Sequence, residues 1–359
     1  MPRPSLRRAT AAPSRSRNIG TIAIGTTLLA LTLGGCGGEA GSATPHDARA
    51  FFKGRTLTYI VATGPGGGYD TYGRLVSRYL GKYLGLKTVV VRNVPGGGHI
   101  KGANEIYAAR PDGLTQGSFN TGLIYAQLLR REGMRADLKR MSWIGKAGLD
   151  ARLLTVSRKS GFRSLDDIRK AGRPLLLGTS GLGNESYYDT MLLAHALDLR
   201  VTLVFGLSTR EAQLSMMRGE IDGEVGSASS SRSFVTNGHG YSVVRVGRAE
   251  GVDQGIPDAA AMASTAEART VIDFVGSLAE LLRWTAGPPG IPEDRLAVLR
   301  EAYTLALRDP ALLAEARRLD IPIVPMDGAT LAREVERALA QPPQTVALIA
   351  SIVGVDLGS

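Results

Sequence analysis

The chain has 359 residues, with 43 Lys plus Arg against 33 Asp plus Glu and a formal net charge of +10. One cysteine excludes an intrachain disulfide framework, and four histidines at His46, His99, His195 and His239 show no metal-type spacing. Seven Phe and two Trp leave little aromatic surface for stacking sugars, and the basic residues form no dense run suited to nucleic acid.

The first 35 residues read as an export signal. Arg3, Arg7, Arg8, Arg15 and Arg17 precede an apolar stretch over residues 19–33 that is too short and soft for a comfortable membrane span. The stretch ends in Leu33-Gly34-Gly35-Cys36, which resembles a bacterial lipoprotein processing site. Cys36 lies among Gly34, Gly35, Gly37 and Gly38 with no core to pack into, so lipidation is expected rather than a buried thiol. Residues 36–50 are expected to form a flexible tether. Loss of the signal lowers the charge to about +5 and leaves about 320 residues, more than one core usually holds. Two domains are therefore expected, with residues 51–148 in a first lobe, 149–242 in a second, and 243–359 returning to the first.

From Thr56 onward, apolar strand-like runs alternate with amphipathic helices, the pattern of an α/β fold with largely parallel sheets. Residues 56–62, 88–91 and 115–119 read as strands. Between them lie a helix with Leu75, Val76, Leu80, Tyr79 and Tyr83 on one face and a second helix over residues 100–109. Pro111-Asp112-Gly113 reads as a turn. In the second unit, residues 153–157, 174–177 and 201–205 read as strands. Ser164-Leu165-Asp166-Asp167 is a helix-capping signal, and residues 187–197 and 209–217 read as helices. The serine-rich residues 227–233 read as a loop or hinge crossing, and residues 243–246 as the start of the return. Pro292 suits a first helical turn, and Leu296, Leu299, Tyr303 and Ala306 mark a buried face ended by Asp309-Pro310. Residues 321–324 read as a strand, and Gln341-Pro342-Pro343 interrupts the last helical stretch.

Three glycine-rich loops stand where strands give way to helices: Gly64-Pro65-Gly66-Gly67-Gly68-Tyr69-Asp70, Asn93-Val94-Pro95-Gly96-Gly97-Gly98-His99 and Gly178-Thr179-Ser180-Gly181-Leu182-Gly183-Asn184. Such junctions aim unpaired backbone N–H groups and a positive helix end at one spot, which suits an anion. The first loop is not a Walker loop, because Tyr69-Asp70 stands where Lys-Ser/Thr is needed, and Tyr69 replaces the third glycine of a dinucleotide fingerprint. Asp70 serves either as a helix cap or as an acceptor for a ligand's hydroxyl or ammonium group. His99 serves as a helix-start hydrogen-bonding residue or a ligand contact, and Arg74 pairs on its helix surface or reaches an anion. In the third loop, Thr179 and Ser180 hydroxyls and the amides up to Asn184 offer a carboxylate seat, unless Asn184 only caps. Gly178-Thr179-Ser180-Gly181-Leu182 fails the G-x-S-x-G nucleophile pattern at Leu182. His195 lies in an apolar helical stretch, and Asp166-Asp167 and Glu220 with Asp222 read as solvated charges. No catalytic residue, metal or cofactor is expected.

Pro65-Gly66-Gly67-Gly68-Tyr69-Asp70 with Arg74, then Asn93-Val94-Pro95-Gly96-Gly97-Gly98, then Arg110-Pro111-Asp112-Gly113-Leu114-Thr115 resemble, in order and spacing, the tripartite tricarboxylate transporter (Bug-type) receptors. Gly206, Gly219-Glu220-Ile221-Asp222-Gly223 and Pro288-Pro289-Gly290-Ile291-Pro292 are similar to later family segments. The resemblance implies a two-lobed Venus-flytrap, or periplasmic-binding-protein, fold with a mostly parallel sheet in each lobe. It implies an extracytoplasmic receptor that captures di- or tricarboxylates, acidic amino acids or aromatic acids. The receptor would deliver them to a transporter of one small and one large integral membrane subunit. It also implies that the first two loops pinch one carboxylate, often through water, and that the second lobe meets the other end. That carries over to Gly67, Gly68 and Asp70, to Gly97 and Gly98, and to Ser180 and Gly183. Tyr69 and His99 depart from the family pattern, as does an anchor at Cys36; Tyr69, His99, Asn120, Thr121 and Asn184 are placed to choose among acids. A ligand sensor for a membrane histidine kinase, or an extracytoplasmic enzyme using His99 or Asp70, are the alternatives.

Overall fold

The strands pair into two sheets. In the computed structural model, which describes residues 45–248, 252 and 255–357, the first sheet holds β1 (Thr56–Val61), β2 (Thr88–Asn93), β3 (Thr115–Phe119) and β4 (Ser142–Lys146). The second sheet holds β5 (Arg152–Ser157), β6 (Leu175–Thr179), β7 (Val201–Phe205), β8 (Gly223–Ser227) and β9 (Gly240–Val246). The chain then returns to the first sheet through β10 (Trp284–Gly287) and β11 (Met326–Asp327). The orders are β11-β4-β10-β3-β1-β2 and β7-β6-β8-β5-β9. The expected export signal, Cys36 and the tether up to residue 44 lie outside the described residues.

The two-sheet α/β architecture is the expected one, but the sheets are mixed rather than mostly parallel. In the first, β1 runs parallel to β2 and β3, while β10 is antiparallel to β3 and β4, and β11 to β4. In the second, β6 is parallel to β7 and β8, while β5 is antiparallel to both β8 and β9. Strands entered by the crossings between sheets arrive from the opposite end, so they run against their neighbours. The crossing segments are tied together by Ala147 N–H to Arg283 O (3.1 Å) and Asp150 N–H to Ala279 O (3.3 Å).

Apolar faces explain the layers. Leu75, Val76, Leu80 and Leu84 of helix Gly68–Leu84 pack with Leu299, Ala302 and Leu307 of helix Glu293–Arg308 over one face of the first sheet. Phe119, Trp143 and Trp284 lie on adjacent strands with ring centroids 5.0 to 6.0 Å apart and pin the sheet's centre. In the second sheet, helix Glu185–Ala196 packs on helix Ala266–Ala279. Ser164 and Asp167 form the expected reciprocal cap of helix Leu165–Lys170.

Four expectations are corrected. Residues 45–50, assigned to the tether, belong to helix Pro45–Phe52, whose Phe52 is buried in the first core. Residues 227–233 are not a loop but largely helix Ala228–Thr236, begun where the Asp150 carboxylate accepts the Ser229 N–H at 3.1 Å and complements the helix's positive end. Residues 243–246 do not return to the first lobe, because β9 pairs with β5 along its length. Residues 321–324 are irregular, and the short strand falls two residues later at Met326–Asp327.

Glu224, on β8 of the second sheet, is buried, and among the described residues its carboxylate accepts one bond, from Gln213 Nε2 at 3.2 Å. Burial pushes its carboxyl up to about 7, and the Gln213 bond offsets only part of that. Because the folded value lies above the unfolded one, the stability tied to the protonated carboxyl is whole at acid pH and is lost as pH rises through about 7. Relative to the native chain, Glu224→Gln should therefore gain about 3 kcal/mol between about pH 5 and pH 8, read from urea midpoints. A difference that stays flat across that range would refute the burial argument.

Candidate functional site

Register brings the first two loops together. Val61, the last residue of β1, lies opposite Asn93 of β2 and Ser118 of β3, so three parallel strands end side by side. Their loops leave at one edge, with β2 and β3 on opposite sides of β1, the arrangement that opens a crevice at strand ends.

Asp70 sits inside the first turn of helix Gly68–Leu84, behind Gly67 at the N-cap, and is 5 % exposed. Its carboxylate accepts Gly66 N–H (2.9 Å), Asn93 Nδ2 (2.8 Å) and Arg74 Nε (3.0 Å). Asn93 Nδ2 also reaches Thr63 O (3.1 Å), and Arg74 Nη2 donates to Asn93 Oδ1 (2.9 Å). Asp70 is thus a knot between the first and second loops rather than a vacant acceptor, and Arg74 takes the pairing role. Burial raises the Asp70 carboxyl, but the Arg74, Gly66 and Asn93 bonds outweigh it and hold the group below its ordinary value.

His99 precedes helix Ile100–Tyr107 at φ 77° but makes no side-chain cap bond. Its Nδ1 accepts the Asn120 N–H at 3.3 Å, and its ring meets Tyr69 edge-on at 5.7 Å. Burial pushes it down to about 3, so it stays neutral with the proton on Nε2. Asn120 Oδ1 accepts Gly122 N–H (2.9 Å), and the Thr121 hydroxyl is buried without a partner.

The third loop leaves the end of β6, where Thr179 pairs with Phe205 of β7. Thr179 and Ser180 hydroxyls lie 2.9 and 3.1 Å from Ser186 Oγ, and Asn184 occupies the N-cap of helix Glu185–Ala196 without a side-chain bond. A side-chain carbon on Gly98 would stand 2.3 Å from the Gly183 carbonyl oxygen, and one on Gly122 would stand 3.0 Å from Glu185 N. The loops from the two sheets therefore touch, and Gly66, Gly67, Gly68, Tyr69, Gly97, Gly98, Gly183 and Asn184 gather along one edge.

Sequence reasoning missed four charged residues here. Arg152 opens antiparallel β5 opposite Ser227, at the same edge as the third loop, and pairs with Glu185 and with Asp189 (Nε to Oδ2, 2.9 Å). Burial raises the Asp189 carboxyl against the pull of Arg152 and of the Tyr125 hydroxyl, which donates to it at 3.0 Å. Tyr69 donates to Glu185 Oε2 at 3.4 Å, a bond from the first loop to the second lobe; burial pushes its hydroxyl up to about 12 although Arg283 and Arg152 pull it down. Arg283 immediately precedes β10, whose Trp284 lies opposite Phe119, so it enters where β3 ends. A lone arginine inside Leu281-Leu282-Arg283-Trp284 was the available signal. Among the described residues no group of three or more His, Cys, Asp or Glu side chains is placed to hold a metal ion.

No family model matches the chain. It is 26% identical over 279 residues to a UPF0065 protein from the tcbD-tcbE intergenic region of a Pseudomonas species, covering 75% of this chain and 79% of that one. It is 28% identical over 283 residues to a UPF0065 protein from the TAR-I ttuE-ttuC' intergenic region of Agrobacterium vitis, covering 76% and 78%. Among solved structures, the periplasmic binding protein BugD superposes with a TM-score of 0.67 at 19% identity, over 84% of this chain and 98% of that one. MatC from Rhodopseudomonas palustris with bound malate gives 0.66 at 21%, over 82% and 99%. A second R. palustris protein, with adipate, gives 0.65 at 19%, over 84% and 98%. The resemblance to Bug-type receptors and the two-lobed fold hold; at these identities the solved structures speak for the fold.

Contact between Gly98 and Gly183 has a direct consequence. Gly98→Ala puts a carbon into the Gly183 carbonyl at a backbone φ of 62°, so the loops must part. Small-angle scattering should give the variant a larger radius of gyration than the native chain. An unchanged radius would mean that the loops do not meet in solution.

Proposed function

We propose that the chain is an extracytoplasmic solute-binding receptor that captures a small carboxylate, a di- or tricarboxylate or related organic acid. In this reading it delivers the acid to a tripartite tricarboxylate-type transporter of one small and one large integral membrane subunit. The observation that carries it is the meeting of three glycine loops from two sheets at one edge, with Gly98 against Gly183. Backbone N–H groups at the starts of helix Gly68–Leu84 and helix Glu185–Ala196 face that edge with positive helix ends behind them. Lobes that close over an anion expel water and strengthen those bonds. The fold shared with proteins solved with malate and with adipate supports the same class of ligand.

Within this proposal the amides of Gly67, Gly68, Gly97 and Gly98 grip one carboxylate, with Gly66 held beside them by its bond to Asp70, and Ser180 and Gly183 meet the far end. Tyr69, His99, Asn120, Thr121, Thr179 and Asn184 shape the choice of acid. Asp70 acts one step back, holding the first two loops in register through Gly66 and Asn93. Cys36 carries a lipid that anchors the receptor to a membrane, in the periplasm or at the cell-envelope exterior. The site binds without turning its ligand over.

A thermal-shift panel of malate, adipate, citrate and glutamate tests the reading. A receptor saturated to about 100 times its Kd gains about 2.7 kcal/mol, a rise in Tm of about 5 °C. At least one acid should produce that rise and be recovered unchanged; no shift across the panel, or conversion of the acid to a product, would defeat the proposal.

A further inference from the structure

Arg283 is 7 % exposed, yet among the described residues no carboxylate pairs with it and its Nη1 is buried with no hydrogen-bond partner. The carboxylates that share its edge are committed elsewhere. Glu185 and Asp189 pair with Arg152, Asp70 is held by Gly66, Asn93 and Arg74, and Asp150 accepts the Ser229 N–H. The Arg283 guanidinium lies 4.0 Å from the Tyr72 ring centroid and 5.3 Å from that of Tyr69. Its Nη1 stands 3.0 Å from where a side-chain carbon on Gly68 would be, at the start of helix Gly68–Leu84. Beside it is a cavity of about 10 Å³, room for about one water, lined also by Ser118, Tyr59 and Tyr303.

A buried cation without a counter-charge is costly and is retained where something completes it. We propose that Arg283 is the charged anchor of this site, receiving one ligand carboxylate in a two-point ion pair with Tyr69 as its cover. The inference rests on the carboxylate-receptor reading and adds to it a positive side-chain charge that the resemblance did not supply. The planar guanidinium presents two parallel N–H groups to a carboxylate, and the positive end of helix Gly68–Leu84 reinforces the same charge. Tyr69 lies over the cation and bonds across to Glu185, so separating the lobes breaks that bond and uncovers Arg283. In the first lobe the ligand's anchored end is thereby read by charge, which an amide or ester of the same acid lacks.

Isothermal titration of malate, adipate, citrate and glutamate into the native protein, Arg283→Gln and Arg283→Lys separates this proposal from the one beneath it. The tightest acid should lose about 100-fold or more in affinity with Arg283→Gln. Arg283→Lys should lose about 10-fold, because the charge stays and the fork goes. Without ligand, Arg283→Gln should melt no lower than the native protein, since it leaves no unpaired buried cation. Native binding with a folded Arg283→Gln variant of equal affinity overturns the anchor and spares the receptor; no binding by the native protein overturns both. Should Arg283→Gln not fold, Arg283→Lys decides, and an affinity within about 2-fold of native overturns the anchor.

Discussion

Strand direction governs what reaches the cleft. In a mixed sheet, parallel strands deliver their last residues to an edge and antiparallel strands deliver their first. The first sheet brings Asn93 and Ser118 alongside Val61 at that edge, and β10 adds Arg283 just ahead of Trp284. The second sheet repeats the rule, with Thr179 ending β6 and Arg152 opening β5. Neutral glycine loops and buried arginines thus arrive together from distant parts of the chain, with no local sequence linking them.

The charges at this edge are arranged unequally. Arg152 is matched by Glu185 and Asp189, so the second-lobe wall is spent on holding itself together. On the first-lobe side, Asp70 is consumed by the knot through Gly66, Asn93 and Arg74, which fixes two flexible glycine loops against each other. Fixing those loops in advance lowers the ordering cost when a ligand arrives. His99, kept neutral by burial, adds a tie from the second loop to the end of β3 without adding charge. Between the two sheets, the Tyr69 hydroxyl reaches Glu185 Oε2 over a long 3.4 Å.

Much of this was legible in the chain itself. Alternating apolar runs marked β1, β3, β6 and β7, and the cap at Ser164 and the glycine junctions were readable because propensity and turn chemistry act over a few residues. Serine-rich residues 227–233 misled because serine disfavours isolated helices, whereas here the Asp150 carboxylate, far away in sequence, starts one. β4 and β10 escaped notice because neither is an apolar run: Ser142, Gly145 and Lys146 interrupt β4, and Thr285 and Gly287 interrupt β10.

By itself, then, the amino-acid order determined the α/β class and the three glycine turns, consequences of local periodicity and backbone freedom. Only the tertiary structure decided that Asp70 is a tie rather than a ligand acceptor, that the sheets are mixed, and that Arg152 and Arg283 join the cleft. Those outcomes depend on pairing between segments from tens to more than a hundred residues apart, such as Val61 with Asn93 and Phe119 with Trp284, and no short-range signal carries it.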